Sequence, residues 1–395
     1  MKKVKEIVFF GAGSIAEKSI LKGYSKPKYI FDNNLDLANT TQHGVKILPG
    51  RQIKEKLTEF KKVIITTSSF TEVKKQLLEY GISDDKIEIS SILDTLRFVE
   101  ELENFCGKIL FTSGLPSFTE SNEGGGLYLL TVDKKKYDLK KIHSGNCHGS
   151  VFDSKKKEYY VTDNDLGIVV FNEDLKKTRL IELEKGLRPH GIALIDSDIL
   201  AVGCTFDDSV ILLNKNTGKY ISRLGLSKRK QELNSPQHHL NDVWFSNGEI
   251  YASMFSVTGH WKQGEFDGAV VSFGKNIYSD SVGKFEKILT NLKMPHNYQM
   301  KNDETLVCNS LESQVINSNK KVIYQSNGFV RGLFFNEDLI IVGESRNRNF
   351  ANISSSVLNS SIDTRISIVD RESKAFRSIQ FPLEISEIHS ILYKK

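Results

Sequence analysis

Five of the nine histidines in this 395-residue chain sit in similar short strings: "GNCHGSVFD", "RPHGIALID", "HHLNDVWF", "MPHNYQM" and "EIHSI". They are His148, His190, His239, His296 and His389, and "FVRGLFF" puts Arg331 in the same kind of slot. Neutral imidazole is a common ligand of zinc-like divalent metals and the usual base near neutral pH. An arginine among them suits a carboxylate or phosphate on a ligand. The five histidines are therefore candidate metal ligands. His239 and His296 are candidate general bases, and Arg331 is the candidate electrophile for a developing oxyanion.

Other polar residues stand close by in sequence. Asn241 and Asp242 follow His239 directly. "VGESRNRNF" supplies Glu344, Arg346 and Arg348, which suit either a clamp on an acidic sugar or a solvated, self-paired loop. Trp261, in "GHWKQGEFDGA", is placed to stack on a sugar ring or to cap the fold. "ESNEGGGLY" (120–128) lacks the lysine and following helix of a phosphate loop and reads as a turn.

Chemistry-bearing residues so far apart in sequence need a repeat to bring them together. From residue 107 onward, short β-rich runs alternate with Asn, Asp, Gly, Ser and Lys turns. The polar openings recur at roughly the 40–50 residues of a four-stranded propeller blade. Six openings predict six blades. "KILFTSG", "GGLYLLTVD" and "YDLKKI" read as second, third and fourth strands without a first, and the terminal "EIHSILYK" reads as the missing first strand. Such closure removes open sheet edges. Inner strands converge on the axis, so His148, His190, His239, His296, Arg331 and His389 should form a ring at one mouth, with Asn241 and Asp242 beside it.

The first hundred residues read differently. "VKEIVFF" is a β-run, "GAGSIA" a glycine turn, and "EKSILKGY" continues as helix. Gly11, Gly13 and Ala16 have the spacing of a dinucleotide fingerprint with alanine in the third slot, and Asp32 ends the second strand where a carboxylate reaches ribose hydroxyls. A parallel α/β unit is expected over 1–91, a helical linker over 92–106 and an all-β propeller over 107–395. A nucleotide or NAD(P) is the cofactor this first unit suits.

Composition narrows the function classes. The net charge of +5 comes from interleaved charges with no basic arm or tail, which argues against nucleic acid and anionic membrane partners. No apolar run is long enough to span a bilayer. Cys106, Cys147, Cys204 and Cys308 show no CxxC pairing and read as reduced thiols of a cytoplasmic protein.

"FGAGSIA…IFDNN…GVKILP…VIITTSSF…LLEYGI" resembles the small Rossmann module of sugar-tailoring enzymes from bacterial surface-polysaccharide clusters. "HHLNDVWF", "MPHNYQM", "GFVRGLFF", "VGESRNR" and "EIHSI" resemble, over about 140–392, the ordered motifs of a bacterial propeller family of unknown function. That resemblance carries over onto His239, Leu240, Asn241, His296, Arg331, Ser345 and Arg348. The chain departs from it at Asp242, where the family has Gly, and at Asn297, Tyr298 and Gln299, where it has Ser-Pro-Arg. More distantly, the "HG" openings are similar to those of propeller lyases such as virginiamycin B lyase and the peptide-amidating lyase, which work at a metal-bearing channel mouth. Together the resemblances imply a metal-assisted lyase, epimerase or hydrolase acting on a sugar or nucleotide-sugar in surface-glycan biosynthesis, with partner enzymes of that pathway. The alternatives are a non-catalytic glycan or protein recognition module and an NAD(P)-dependent sugar oxidoreductase.

Overall fold

The computed structural model describes residues 7–21, 26–115, 123–349, 352 and 357–394. Parts of the first strand (4–6), of the first helical pattern (22–25) and of the glycine-rich turn (120–122), and Phe350, lie outside the described residues. The chain divides into two compact units, Met1–Glu103 and Asn104–Lys395, so helix Asp94–Glu103 belongs with the first unit.

The first unit is a sheet with the spatial order Thr41–Gln42, Val45–Pro49, Ile30–Asp32, Ile7–Phe10, Lys62–Ile65, Ile87–Ile89. All neighbours pair in parallel except the short edge hairpin at Thr41–Gln42. These strands are continuous apolar runs, as expected of a sheet covered on both faces. Val8, Phe10, Phe31, Ile65 and Leu77 fill one side, and Phe9, Ala16, Ile30 and Ile64 the other. Gly11 turns at φ +111°, and a Cβ there would meet the Thr66 carbonyl oxygen at 2.8 Å, so only glycine fits.

The second unit is six blades. Blade 1 pairs Ile391–Lys394 with Cys106–Ser113, Gly126–Asp133 and Lys136–Ser144. Blade 2 runs Cys147–Ile181, blade 3 Pro189–Gly225, blade 4 Leu240–Leu292, blade 5 Pro295–Gln325 and blade 6 Phe329–Gln380. The closing strand registers Ile391 opposite Phe111 and Tyr393 opposite Ile109. Residues from opposite ends of the unit thus complete one sheet, as the sequence leads one to expect. Apolar side chains alternate along each strand, and adjacent blades bury them against each other. Ala193, Ala201 and Leu212 of blade 3 pack with Leu240, Ala252 and Val271 of blade 4.

One local device recurs at the axis. The inner-strand ladder breaks between Cys147 and Ser150, Pro189 and Ile192, Leu240 and Val243, His296 and Gln299, and Val330 and Gly332. Each break is a β-bulge, which bends the strand and re-aims a side chain. At or beside these breaks the chain reads His148-Gly149, His190-Gly191, Asn241-Asp242, His296-Asn297 and Arg331-Gly332, with His389-Ser390 leading into the closing strand. In blade 5 His296 still pairs with Cys308 and the bypassed residues are Asn297 and Tyr298, and in blade 6 Arg331 alone is bypassed. The glycines are there because the strands crowd. A Cβ on Gly149 would lie 2.4 Å from the His190 carbonyl oxygen, and one on Gly191 would lie 2.5 Å from Asp242 Cα.

Candidate functional site

The first residue of each bulge pair faces one mouth of the channel. A pocket of about 840 Å³ opens there and is lined by His148, His190, Asn241, His296, Arg331 and His389, one from each blade. None of the six exceeds 8% exposure. His239, which the sequence reading places in the ring, stands beside it. Asn241 takes the blade 4 slot because the bulge begins after Leu240. The His239 ring instead stacks on Phe255 at 4.2 Å and meets Trp261 at 4.6 Å.

Three imidazoles crowd together. The ring centroid of His148 lies 4.0 Å from His190 and 4.1 Å from His389, and His190 lies 5.0 Å from His389. Each of the three offers a ligand nitrogen, all within 4.8 Å of one another. The outer nitrogens are anchored. His389 Nε2 donates to Glu387 Oε2 at 2.8 Å. His148 Nε2 lies 3.1 Å from Asn146 Oδ1, an oxygen that already accepts from Leu115 N. Glu387 fixes the His389 proton on Nε2 and leaves its Nδ1 with a lone pair, whereas His148 Nε2 lies between Asn146 Oδ1 and the Asn164 side-chain amide, which donates to it at 2.9 Å. The Nδ1 atoms of His148, His190 and His389 are all buried without a hydrogen-bond partner. Buried polar atoms are normally satisfied, so an unpartnered Nδ1 on each of three imidazoles packed this closely makes the trio a candidate metal site.

His296 is not part of this trio. Its Nδ1 lies 3.0 Å from the Met294 carbonyl oxygen and 2.8 Å from Ser310 Oγ. A carbonyl can only accept, so Nδ1 carries the proton and Nε2 is the free base. The ring sits edge-on to Phe255 and Phe329. His239 and His296 therefore belong to an aromatic wall and do not join the metal-ligand set.

Glu387, which the sequence reading missed, is the electrostatic hub. Its carboxylate pairs with Arg331 at 2.7 Å, Arg348 at 2.8 Å and His389 at 2.8 Å. Burial alone would favour the neutral acid, but the two guanidinium groups and His389 hold it well below the usual carboxylate range. The histidines are pushed the other way. Burial, with help from neighbouring positive charge, lowers His239 to about 3 and keeps His148, His190 and His296 well below their ordinary value. His389 falls to about 4 through burial, partly offset by Glu387. All are neutral at pH 7.

The remaining candidates divide. Arg346, Arg348 and Trp261 line the pocket. Arg346 is held at the rim by the carbonyls of Ile362 and Leu383. Glu344 does not line it. It is fully buried between blades 5 and 6, paired with Arg365 at 2.7 Å and accepting from the Tyr324 hydroxyl at 2.9 Å and from Ser326 and Ser367. Its strand, Leu339–Ser345, points it into the sheet interior and away from any overhanging loop. Asp242 is the second member of its bulge pair, so it sits one tier deeper in the channel, where its Oδ2 accepts from Asn297 N at 2.8 Å. Sequence reasoning also missed Asn146, Arg188, Phe255 and Phe329 in the lining.

In the first unit, Gly13 faces open space, with nothing within 4 Å of the point a Cβ would occupy, and Ala16 is buried against the sheet. Asp32 does not project freely towards a ligand. Its Oδ2 accepts from Ala12 N at 2.6 Å and its Oδ1 from Asn34 N at 2.7 Å. No helix among the described residues is long and apolar enough to cross a membrane.

A search of curated proteins finds no match. Among solved structures, the chain is similar to one titled as a nidogen/laminin complex, at 11% identity and TM-score 0.49, over 73% of this chain and 98% of that one. It is similar to a protein of unknown function from Bacteroides caccae, also at 11% identity and TM-score 0.49, over 73% and 99%. It is similar to virginiamycin B lyase from Staphylococcus aureus at 10% identity and TM-score 0.40, over 62% and 73%. The model of the family described as "Domain of unknown function (DUF4915)" matches residues 205–393, a stretch that holds Asn241, His296, Arg331, Glu387 and His389.

Proposed function

We propose that the channel mouth is a sugar-directed, metal-assisted active site whose substrate is an acidic sugar or nucleotide-sugar and whose chemistry is that of a lyase, epimerase or hydrolase. The observation that carries this reading is the clustering of three imidazoles, each with a buried, unpartnered Nδ1, beside a carboxylate pinned by two arginines. His148, His190 and His389 would hold the ion. A bound divalent metal supplies a Lewis acid that polarises a substrate oxygen.

The chain's own residues do the rest. His296, with Nδ1 protonated and Nε2 free, accepts a proton from the substrate, with His239 as the other candidate base. Arg331 supports negative charge developing on the substrate. Arg346 and Arg348 at the rim receive a carboxylate or phosphate. Phe255, Phe329 and Trp261 offer flat apolar faces for one side of a sugar ring.

The order of the parallel strands and the glycine turn at Gly11 support reading the first unit as a Rossmann-like nucleotide-binding module, and the open approach at Gly13 suits the phosphates of a nucleotide-sugar. A role in surface-glycan biosynthesis alongside partner enzymes rests on the sequence resemblances. An NAD(P)-dependent oxidoreductase is the weaker reading, because Asp32 is already bonded to Ala12 N where ribose hydroxyls would be received. A non-catalytic recognition module draws support from His239, which at about 3 is a feeble base.

The test is to measure the metal content of purified protein and to screen acidic sugars and nucleotide-sugars for binding and for product by NMR. One equivalent of metal, and turnover lost in His296→Asn with binding kept, supports the enzyme. Binding without product moves the reading to recognition. No metal and no sugar binding overturns both.

A further inference from the structure

A second cluster lies behind His148 and lines no part of the mouth pocket. His143 ends the outer strand of blade 1, Cys147 begins the inner strand of blade 2, and Asp163 ends the next strand. Their ligand atoms fall within 4.8 Å of one another. His143 Nε2 stands 3.7 Å from Asp163 Oδ2, and Cys147 Sγ stands 3.9 Å from the same oxygen. In a tetrahedral zinc site with bonds of about 2.0–2.3 Å, ligand atoms lie about 3.3–3.8 Å apart. The two separations to Asp163 Oδ2 already match that range to within about a tenth of an ångström, all three ligand atoms lie within 4.8 Å, and a water would supply the fourth ligand.

Three further features point the same way. Cys147 is 0% and Asp163 0% exposed as residues, so neither faces bulk water. His143 Nε2 is buried and makes no hydrogen bond. Asp163 Oδ1 is occupied by the backbone N–H groups of Asp165 at 3.0 Å and Leu166 at 3.2 Å, which leaves Oδ2 aimed at the other two side chains. The backbone leaves no room for a side chain at Gly145, where a Cβ would fall 2.0 Å from Asp163 Oδ2 and 3.2 Å from His143 Nε2.

We propose that His143, Cys147 and Asp163 form a structural site for a zinc-like divalent cation that clips blade 1 to blade 2, separate from the three-histidine site. Binding releases the Cys147 thiol proton to solvent and leaves the thiolate on the metal. The clip also steadies the pocket. Asn146 and Asn164 lie within the two segments it joins. Asn164 N donates to Asn146 O at 2.9 Å, and both side chains reach His148 Nε2.

Cobalt(II) distinguishes the two sites, because only this one carries a thiolate. The intact protein is stripped of metal, loaded with Co²⁺ and scanned for thiolate-to-cobalt charge-transfer absorption in the near ultraviolet. The band is expected in the wild type and in His389→Ala, which damages only the pocket. It is expected to vanish in Cys147→Ser and in His143→Gln, the second of which alters a side chain near the surface. Cys204→Ser should leave it intact. No band in folded wild-type protein, or a band that survives Cys147→Ser, overturns the proposal. Failure of the pocket reading would show instead as wild-type protein with no non-thiolate cobalt signal, or with one that His389→Ala leaves unchanged.

Discussion

His389 and Glu387 stand two positions apart on the segment that closes the ring, and imidazole Nε2 donates to the carboxylate at 2.8 Å. That contact ties the architecture to the site. The segment that leads into the strand completing blade 1 also delivers one imidazole of the trio and the carboxylate that orients it. A chain cut after Ser390 loses Ile391–Lys394 and leaves the edge of Cys106–Ser113 unpaired. It is expected to be aggregation-prone and to melt well below the full chain, as read by size exclusion and thermal scanning. A cut chain as stable as the whole would mean that closure contributes little.

Removing the hub charge should be costly. Glu387→Gln leaves Arg331 and Arg348 facing each other with no anion between them. Taking one partner from a buried ion network costs about 3–5 kcal/mol. Urea unfolding is expected to show a midpoint shift of that order at unchanged slope. A loss under about 1 kcal/mol would indicate that water enters and solvates the arginines.

Glu344 separates a structural role from a ligand role. Its bonds to Arg365 and Ser367 lie within blade 6, and those to Tyr324 and Ser326 reach the end of blade 5. Glu344→Gln is expected to lower stability by about 2–4 kcal/mol and to leave the affinity of the pocket for any ligand unchanged. Arg346→Ala should do the reverse, weakening binding of an anionic ligand with little change in melting temperature. Calorimetric titration beside thermal scanning reads both.

The ring was legible in the sequence because its residue types are rare and recur before each inner strand. Which residue fills each slot was not, because a one-residue bulge decides it. "HHLND" offers His238, His239 and Asn241 to the same place, and the ladder break after Leu240 selects Asn241. His238 is turned aside by Ser256 O and Ser227 Oγ. Glu387 was invisible for another reason. It lies in an irregular stretch before the closing strand, and its partners Arg331 and Arg348 come from blade 6. Glu344 was misread because a polar string after a strand suggests a loop, whereas it is the last turn inward of a strand. The recurring two-residue strings, His-Gly, His-Gly, Asn-Asp, His-Asn, Arg-Gly and His-Ser, were the available signal for the correct register.

Asp242 occupies the second slot of its pair, where three of the other blades carry glycine, and it should leave a mark on the pH dependence of stability. Burial raises its carboxyl to about 7 from 3.8. The folded form therefore keeps a proton that the unfolded chain gives up near 3.8. The resulting stability is complete below that value and is lost as pH rises towards 7. Asp242 is only partly shielded from water in the channel, so the loss is discounted to about 1–2 kcal/mol. Asp242→Asn keeps an oxygen able to accept from Asn297 N and removes the titration. The variant is expected to match the wild type near pH 4 and to exceed it by that amount at pH 8. Chemical denaturation at several pH values checks it. Parallel curves for the two proteins would place Asp242 in contact with enough water to ionise at its ordinary value.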